Sequence, residues 1–276
     1  MELKELNKMT GEFSSTDKMP VLFLGHGSPM NAIEENDFVK GFRKIGDAIP
    51  RPNAILCISA HWETRGTFAT VMEKPKTIHD FGGFPKELYE IQYPAPGSPS
   101  LAYEIKKIIT KTEVGLDTQW GLDHGSWSVV KHLYPNADVP IIQLSLDHFK
   151  GPQYHFDLAK ELAPMRKKGI LIVGSGNVVH NLRLVAWNKL NEPGFGYDWA
   201  IEADHKIKNY ILNGESEKLI DYESQGKAFE LSIPTPEHYL PLLYALSLKE
   251  KNDEIRFFND KTVGGSLSMT SLRIGS

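Results

Sequence analysis

Ile170-Leu171-Ile172-Val173-Gly174-Ser175-Gly176-Asn177-Val178-Val179-His180 is the stretch on which the fold class turns. Four aliphatic residues without polar alternation read as a strand, Ile170–Val173, covered on both faces. A glycine turn follows, and then a histidine. Two other runs repeat this arrangement. Val21–Leu24 passes through Gly25 to His26, and Ala54–Ser59 passes through Ala60 to His61. Val139–Leu144 is a fourth apolar run of the same kind, while Phe68–Met72 and Ser266–Arg273 alternate and suit edge or antiparallel strands. Helical stretches lie between these runs at Asp37–Ile45, Ser100–Ile109, Tyr154–Lys168, Asp198–Leu212 and Pro236–Leu248. Pro164 is expected to kink or shorten the third of them. In the last, Thr235, Pro236 and Glu237 read as a capped helix start. Strands alternating with helices predict an α/β domain, with a mostly parallel central sheet flanked by helices. We assign that domain to 19–276 and a flexible N-terminal tail to 1–18. The segment 77–99, rich in aromatic residues, Gly and Pro, reads as a long loop of the kind that walls a site.

Composition narrows the function. The chain has 276 residues, of which 41% are apolar and 24% charged, as in ordinary globular proteins rather than disordered ones. A formal net charge of −4 argues against a nucleic-acid partner. The single cysteine, Cys57, excludes an intrachain disulfide and favours a reducing compartment, so a cytoplasmic protein is expected. No apolar run approaches the roughly 18–20 residues of a membrane span. Phosphate-binding, dinucleotide and serine-nucleophile motifs are absent. Gly174-Ser175-Gly176 lacks the third glycine of a dinucleotide fingerprint, and Val179 stands in its place.

The histidines are the informative residues. If their strands are parallel, His26, His61 and His180 leave one edge of the sheet, the edge where open α/β folds place their sites. His238 follows Pro236-Glu237 in what reads as a first helical turn. His124 lies in the polar loop Gly121-Leu122-Asp123-His124-Gly125-Ser126-Trp127, ahead of a short helix. Neutral imidazole is the commonest metal ligand and suits zinc and iron, and histidines not used as ligands can move protons. His79, His132, His148, His155 and His205 take the structural reading, His79 with less force because its loop is expected to line the site. Cys57 reads as a small buried apolar residue. Trp62, Phe81, Phe84, Trp127 and Tyr239 are candidates for an apolar wall, each equally at home in a core.

Several longer strings carry a resemblance. Leu22–Met30 (LFLGHGSPM), Ser59–Thr64 (SAHWET), Ile78–Phe84 (IHDFGGF), Gln92–Ser98 (QYPAPGS), Gly121–Trp127 (GLDHGSW), Gly174–Arg183 (GSGNVVHNLR) and Thr235–Leu243 (TPEHYLPLL) resemble the class III extradiol ring-cleavage dioxygenases. Within them the likeness is to the bacterial and plant 4,5-DOPA dioxygenase extradiol group. The strings run in order over nearly the whole chain. The resemblance implies one non-haem divalent metal per chain, Fe(II) for activity with Zn(II) as the ion found, and a catechol-type substrate cleaved with O2. It places His26, His61 and His238 at metal positions. His180 matches a position that is a ligand in zinc-bound members and the catalytic base in the wider superfamily, and His124 a second catalytic histidine. The wider superfamily uses two histidines and a carboxylate. Here Glu237 adjoins His238, and neighbours on a helix point about 100° apart, so His238 is chosen alone. A zinc-dependent hydrolase could use the same histidines without O2. A tetrapyrrole metal chelatase would leave the DHGSW and TPEHYLP strings without purpose, and an open ligand set argues against a non-catalytic metal-binding protein.

Overall fold

The three histidine-tailed runs form adjacent strands of one sheet in the computed structural model, which describes residue 13, residues 15–190 and residues 192–276. The central strands are β1 (Val21–Gly25), β2 (Ala54–Ser59), β3 (Ile141–Gln143), β4 (Ile170–Gly176), β5 (Ile255–Phe258) and β6 (Ser271–Ile274), in the order β3-β2-β4-β1-β6-β5. The first four in that order are parallel, β6 runs antiparallel to β1, and β5 antiparallel to β6. Every residue of β1, β2 and β4 is buried, as their unbroken apolar character requires.

Successive residues of these strands face opposite layers. Val21, Phe23, Leu56, Ile58 and Ile172 belong to one core, packed with residues of α2 (Pro99–Ile108), α4 (Pro152–Lys160), α5 (Asp198–Asn213) and α6 (Leu240–Ser247). Leu22, Leu24, Ile55, Cys57, Leu171 and Val173 belong to the other, with residues of α1 (Asp37–Ala48) and α3 (His124–Leu133). The result is one α/β domain with helices on both faces. Among the described residues, no helix is long and apolar enough to cross a membrane.

Four local expectations are corrected. The run Phe68–Met72 contributes a strand at Thr67–Thr70 that pairs in parallel with Val114–Asp117, outside the central sheet. The run Ser266–Arg273 is broken in two: Leu267–Ser268 pairs with Thr262–Val263, and β6 starts at Ser271. The break lies where the Met269 backbone rests on Gly25, so closely that a Cβ there would stand 2.6 Å from the Met269 carbonyl oxygen. Tyr154–Lys168 is not one helix, since α4 stops at Lys160 and a 3-10 turn, Ala163–Lys168, runs to Gly169 at φ 72°. Finally, no helix opens at Pro236. Residues 236–239 form a turn in which the Tyr239 and Leu240 amides both return to the Pro236 carbonyl, and the Thr235 hydroxyl donates to Glu237 instead of serving as a cap. The helix begins at Leu240, with Pro241 in the first turn where no amide is required.

At the amino ends of β1 and β4, the fully buried Arg166 ties the fold together. It donates to the Met19 and Leu248 carbonyls at 2.8 and 2.7 Å and pairs with Asp253 at 2.7 Å. Of the expected tail, residues 1–12 and 14 lie outside the described residues. Thr16 donates its amide to the Lys167 carbonyl, and Lys18 pairs with Asp253 at 2.8 Å.

Candidate active site

Parallel register brings the carboxyl ends level. Gly25 pairs with Gly176, and Ser59 with Ser175, so the chain leaves all three strands at one height. His26 follows β1 directly. Its Nδ1 lies 3.0 Å from Ser175 Oγ, whose hydroxyl donates to the Gly125 carbonyl. With its one proton given away, Ser175 accepts from His26 Nδ1–H and leaves the lone pair on Nε2. His61 follows β2 by two residues, its amide donating to Ser59 Oγ at 3.3 Å. Its Nε2 stands 3.2 Å from His26 Nε2, and its Nδ1 lies 3.4 Å from Asp80. His124 is the first residue of α3, which Asp123 caps by accepting from the Ser126 amide at 3.0 Å. His238 sits in the turn before α6, pressed onto the end of β4. Asn177 donates its amide to the His238 carbonyl at 2.8 Å, and a Cβ on Gly176 would stand 2.1 Å from that oxygen. His180 stacks on His238, with ring centroids 3.5 Å apart and planes 9° from parallel.

The structure thus gathers His26, His61, His124, His180 and His238 at one place. The rings of His26, His61 and His238 form a near-equilateral triangle with sides of 5.0, 5.2 and 5.0 Å. The ring of His124 lies 3.9 Å from that of His61. Ligand atoms of His26, His61 and His124 lie within 4.8 Å of one another, as do those of His180, Glu237 and His238. Burial holds His26, His61, His180 and His238 neutral. It pushes the His61 imidazole down to about 3 and the His180 imidazole to about 4, and drives those of His26 and His238 well below the ordinary value; neighbouring histidines add to the effect in each case, while Asp80 and Glu237 oppose it at His61 and Glu237 opposes it at His180. Neutral imidazoles with converging nitrogens are what a divalent metal takes. Two bonds of about 2.0–2.1 Å at a tetrahedral angle place their nitrogens about 3.3 Å apart, close to the His26–His61 separation. The donor set therefore fits a metal ion.

Comparison with known proteins agrees with this chemistry. A family model described as the catalytic LigB subunit of aromatic ring-opening dioxygenase matches residues 20–264. The chain belongs to that family. It is 48% identical to an Escherichia coli protein named 4,5-DOPA dioxygenase extradiol over 95% of this chain and 96% of that one. The Beta vulgaris protein of the same name is 35% identical over 92% of this chain and 96% of its own length. The crystal structure of an uncharacterized Escherichia coli K12 protein superposes with a TM-score of 0.81 at 43% identity, covering 94% of this chain and all of that one. This chain is accordingly an extradiol dioxygenase.

The remaining candidates of this ring-opening enzyme divide cleanly. Phe81 packs edge-on against His124 at 5.5 Å between centroids, and Phe84 against Phe81 at 5.3 Å, so the 77–99 loop does supply an aromatic wall. Trp62, Trp127 and Tyr239 are buried core residues, Trp62 stacked on Trp120 and the other two tied to the carbonyls of Ile78 and Leu219. His132 bonds the Asn31 carbonyl, His155 sits between the Tyr244 hydroxyl and the Asp147 carbonyl, and His148 pairs with Glu63 at the surface. His79 bonds the Ile91 carbonyl and packs on Trp127. Sequence reasoning missed the groups that hold the histidines from behind. These are Ser175 for His26, Asp80 for His61 and His124, and Glu237 for His238 at 3.0 Å. The helix argument against Glu237 fails, because the two residues share a turn. Glu237 Oε1 instead accepts from both Thr235 and His238.

Proposed function

We propose that the enzyme opens the ring of a 3,4-dihydroxyphenyl compound such as DOPA with O2, giving a muconic semialdehyde, and that His26, His61 and His238 hold one divalent metal for it. The observation that carries the assignment is the triangle of these three rings, with two Nε2 atoms 3.2 Å apart. The substrate class rests on the relatives named for DOPA. Bound there, Fe(II) supplies Lewis acidity and the redox coupling of ring to oxygen, whereas Zn(II), the ion we expect on isolation, has no redox chemistry.

The chain's own residues do the rest. His180, neutral and stacked beside His238, accepts the proton lost by a catechol hydroxyl. His124, anchored through Nδ1, presents Nε2 to the reactants next to His61. Phe81 and Phe84 offer ring faces and edges to an aromatic substrate and keep water from that side. The test is anaerobic loading with Fe(II), followed by O2 uptake on DOPA. One O2 consumed per ring, with a yellow semialdehyde absorbance and no uptake by the Zn(II) form, is expected. No uptake with any catechol, together with ester or phosphate hydrolysis by the Zn(II) form, would overturn the proposal.

A further inference from the structure

Asp80 stands at the centre of the support behind the histidines. It lies in the 77–99 loop, beyond the strand Thr67–Thr70, and each of its oxygens is engaged. Oδ1 accepts the His124 backbone amide at 2.8 Å. Oδ2 lies 3.0 Å from His124 Nδ1 and 3.4 Å from His61 Nδ1. An ionised carboxylate only accepts, so His124 bonds it through Nδ1–H, while His61 turns its Nδ1 to the same oxygen within ion-pair range. A neutral imidazole that protonates Nδ1 leaves its Nε2 bare. For His61 that bare atom is the one facing His26.

The other supports serve one ring each, Ser175 for His26 and Glu237 for His238. Asp80 alone among them serves two, and those two have different tasks. We propose that Asp80 is a positioning residue that clamps His61 and His124 by their Nδ1 atoms, and so couples the strength of metal binding to the aim of the catalytic His124. The catalytic half of this proposal rests on the ring-opening reading above, while the metal half rests on the histidine geometry alone.

The competing role is purely structural, with Asp80 anchoring the loop to the start of α3. Asp80→Asn separates the two. Its amide oxygen still accepts the His124 backbone amide, but the charge and the second carboxylate oxygen are gone. The first measurement is Zn(II) binding to the metal-free variant in competition with a chelator. We expect an affinity about 10–100-fold weaker than wild type, at a melting temperature within a few degrees of it. The second is turnover of the Fe(II)-loaded variant on DOPA. A fall of at least about tenfold in kcat is expected, with KM changed by less than about threefold. In a His124→Ala background, Asp80→Asn should lower kcat by less than about threefold more, yet weaken Zn(II) binding as before, since the His61 contact remains. Unchanged Zn(II) affinity in Asp80→Asn would overturn the proposal, as would kcat losses that multiply fully in the double variant. If Asp80→Asn melts well below wild type, Asp80→Glu is read instead. Recovered Zn(II) affinity there supports the clamp, and affinity lost in step with stability overturns it. Should wild type show no ring opening, the Zn(II) measurements still decide the metal half.

Discussion

The two ends of the central sheet bury polar groups in opposite ways. At the amino end, Arg166 is fully buried as a cation, its charge met by Asp253 at 2.7 Å, with Nε and Nη1 also donating to the Met19 and Leu248 carbonyls. Lys18 adds a second cation to the same carboxylate at 2.8 Å. At the carboxyl end, five histidines are packed together, two of them with their Nε2 atoms 3.2 Å apart. The first arrangement meets its charge inside the protein, with Arg166 Nη2 alone of the guanidinium nitrogens left without a partner, and holds two strand starts, the end of α6 and the approach to β5 in place. The second sets imidazole nitrogens against one another, the closest pair being two Nε2 atoms. Burial alone therefore does not mark a site. Whether the buried groups meet opposite partners or face their own kind does.

That contrast can be broken by substitution. His26→Ala or His61→Ala should abolish stoichiometric metal binding while the fold persists, as metal analysis and circular dichroism would show. Full occupancy in both variants would remove the carboxyl end as the metal site. His180→Ala should keep the metal within a few-fold of wild-type affinity and lose about 10²–10⁴-fold in turnover, the usual worth of a general base. Metal loss equal to that of His26→Ala would make His180 a ligand instead. Asp253→Ala belongs to the other end. It leaves Arg166 buried and unpaired, which should cost about 3–5 kcal/mol of stability in denaturant unfolding, with metal content per chain unaltered.

The smallest effect is in pH. Burial raises the Asp253 carboxyl, but its bonds to Arg166 and Lys18 prevail and bring it down to about 2 from 3.8. A depressed carboxyl stabilises the fold fully above its unfolded value and loses that contribution as pH falls through its folded value. Asp253 should therefore contribute about 2 kcal/mol that vanishes between roughly pH 4 and pH 2. In Asp253→Ala the acid slope of stability over that window should be shallower. An unchanged slope would show that the pair does not govern acid sensitivity at this end.

Much of this was legible in the chain. Strands buried on both faces announce themselves as unbroken apolar runs, and the histidines that follow β1, β2 and β4 are adjacent to them in sequence. Their convergence required only that the strands be parallel and level. His238 was read as a site residue, and the structure brings it beside His26 and His61, but in a different setting. Thr235-Pro236-Glu237 is a sound local signal for a helix start, overridden because the turn docks on β4 through Asn177 and Gly176. His124 was placed in a loop because the Asp123 cap that begins α3 looks like loop chemistry until the helix is seen. Asp80 lies within the Ile78–Phe84 string, but its role was not legible. Its partner His124 lies 44 positions away, and nothing in a single carboxylate beside His79 distinguishes it from a solvated loop residue. Ser175 and Glu237 escaped for the same reason, since supports are defined by contacts made only after folding.

The central claim is that the level strand ends and the turn before α6 build one metal centre from His26, His61 and His238. An anomalous-difference map at the zinc absorption edge, from crystals of the zinc-loaded protein, tests it directly. One peak per chain is expected, about 2.0–2.1 Å from a nitrogen of each of these three histidines. A peak that omits His26 or His61, such as one held by His180, Glu237 and His238 alone, would contradict it.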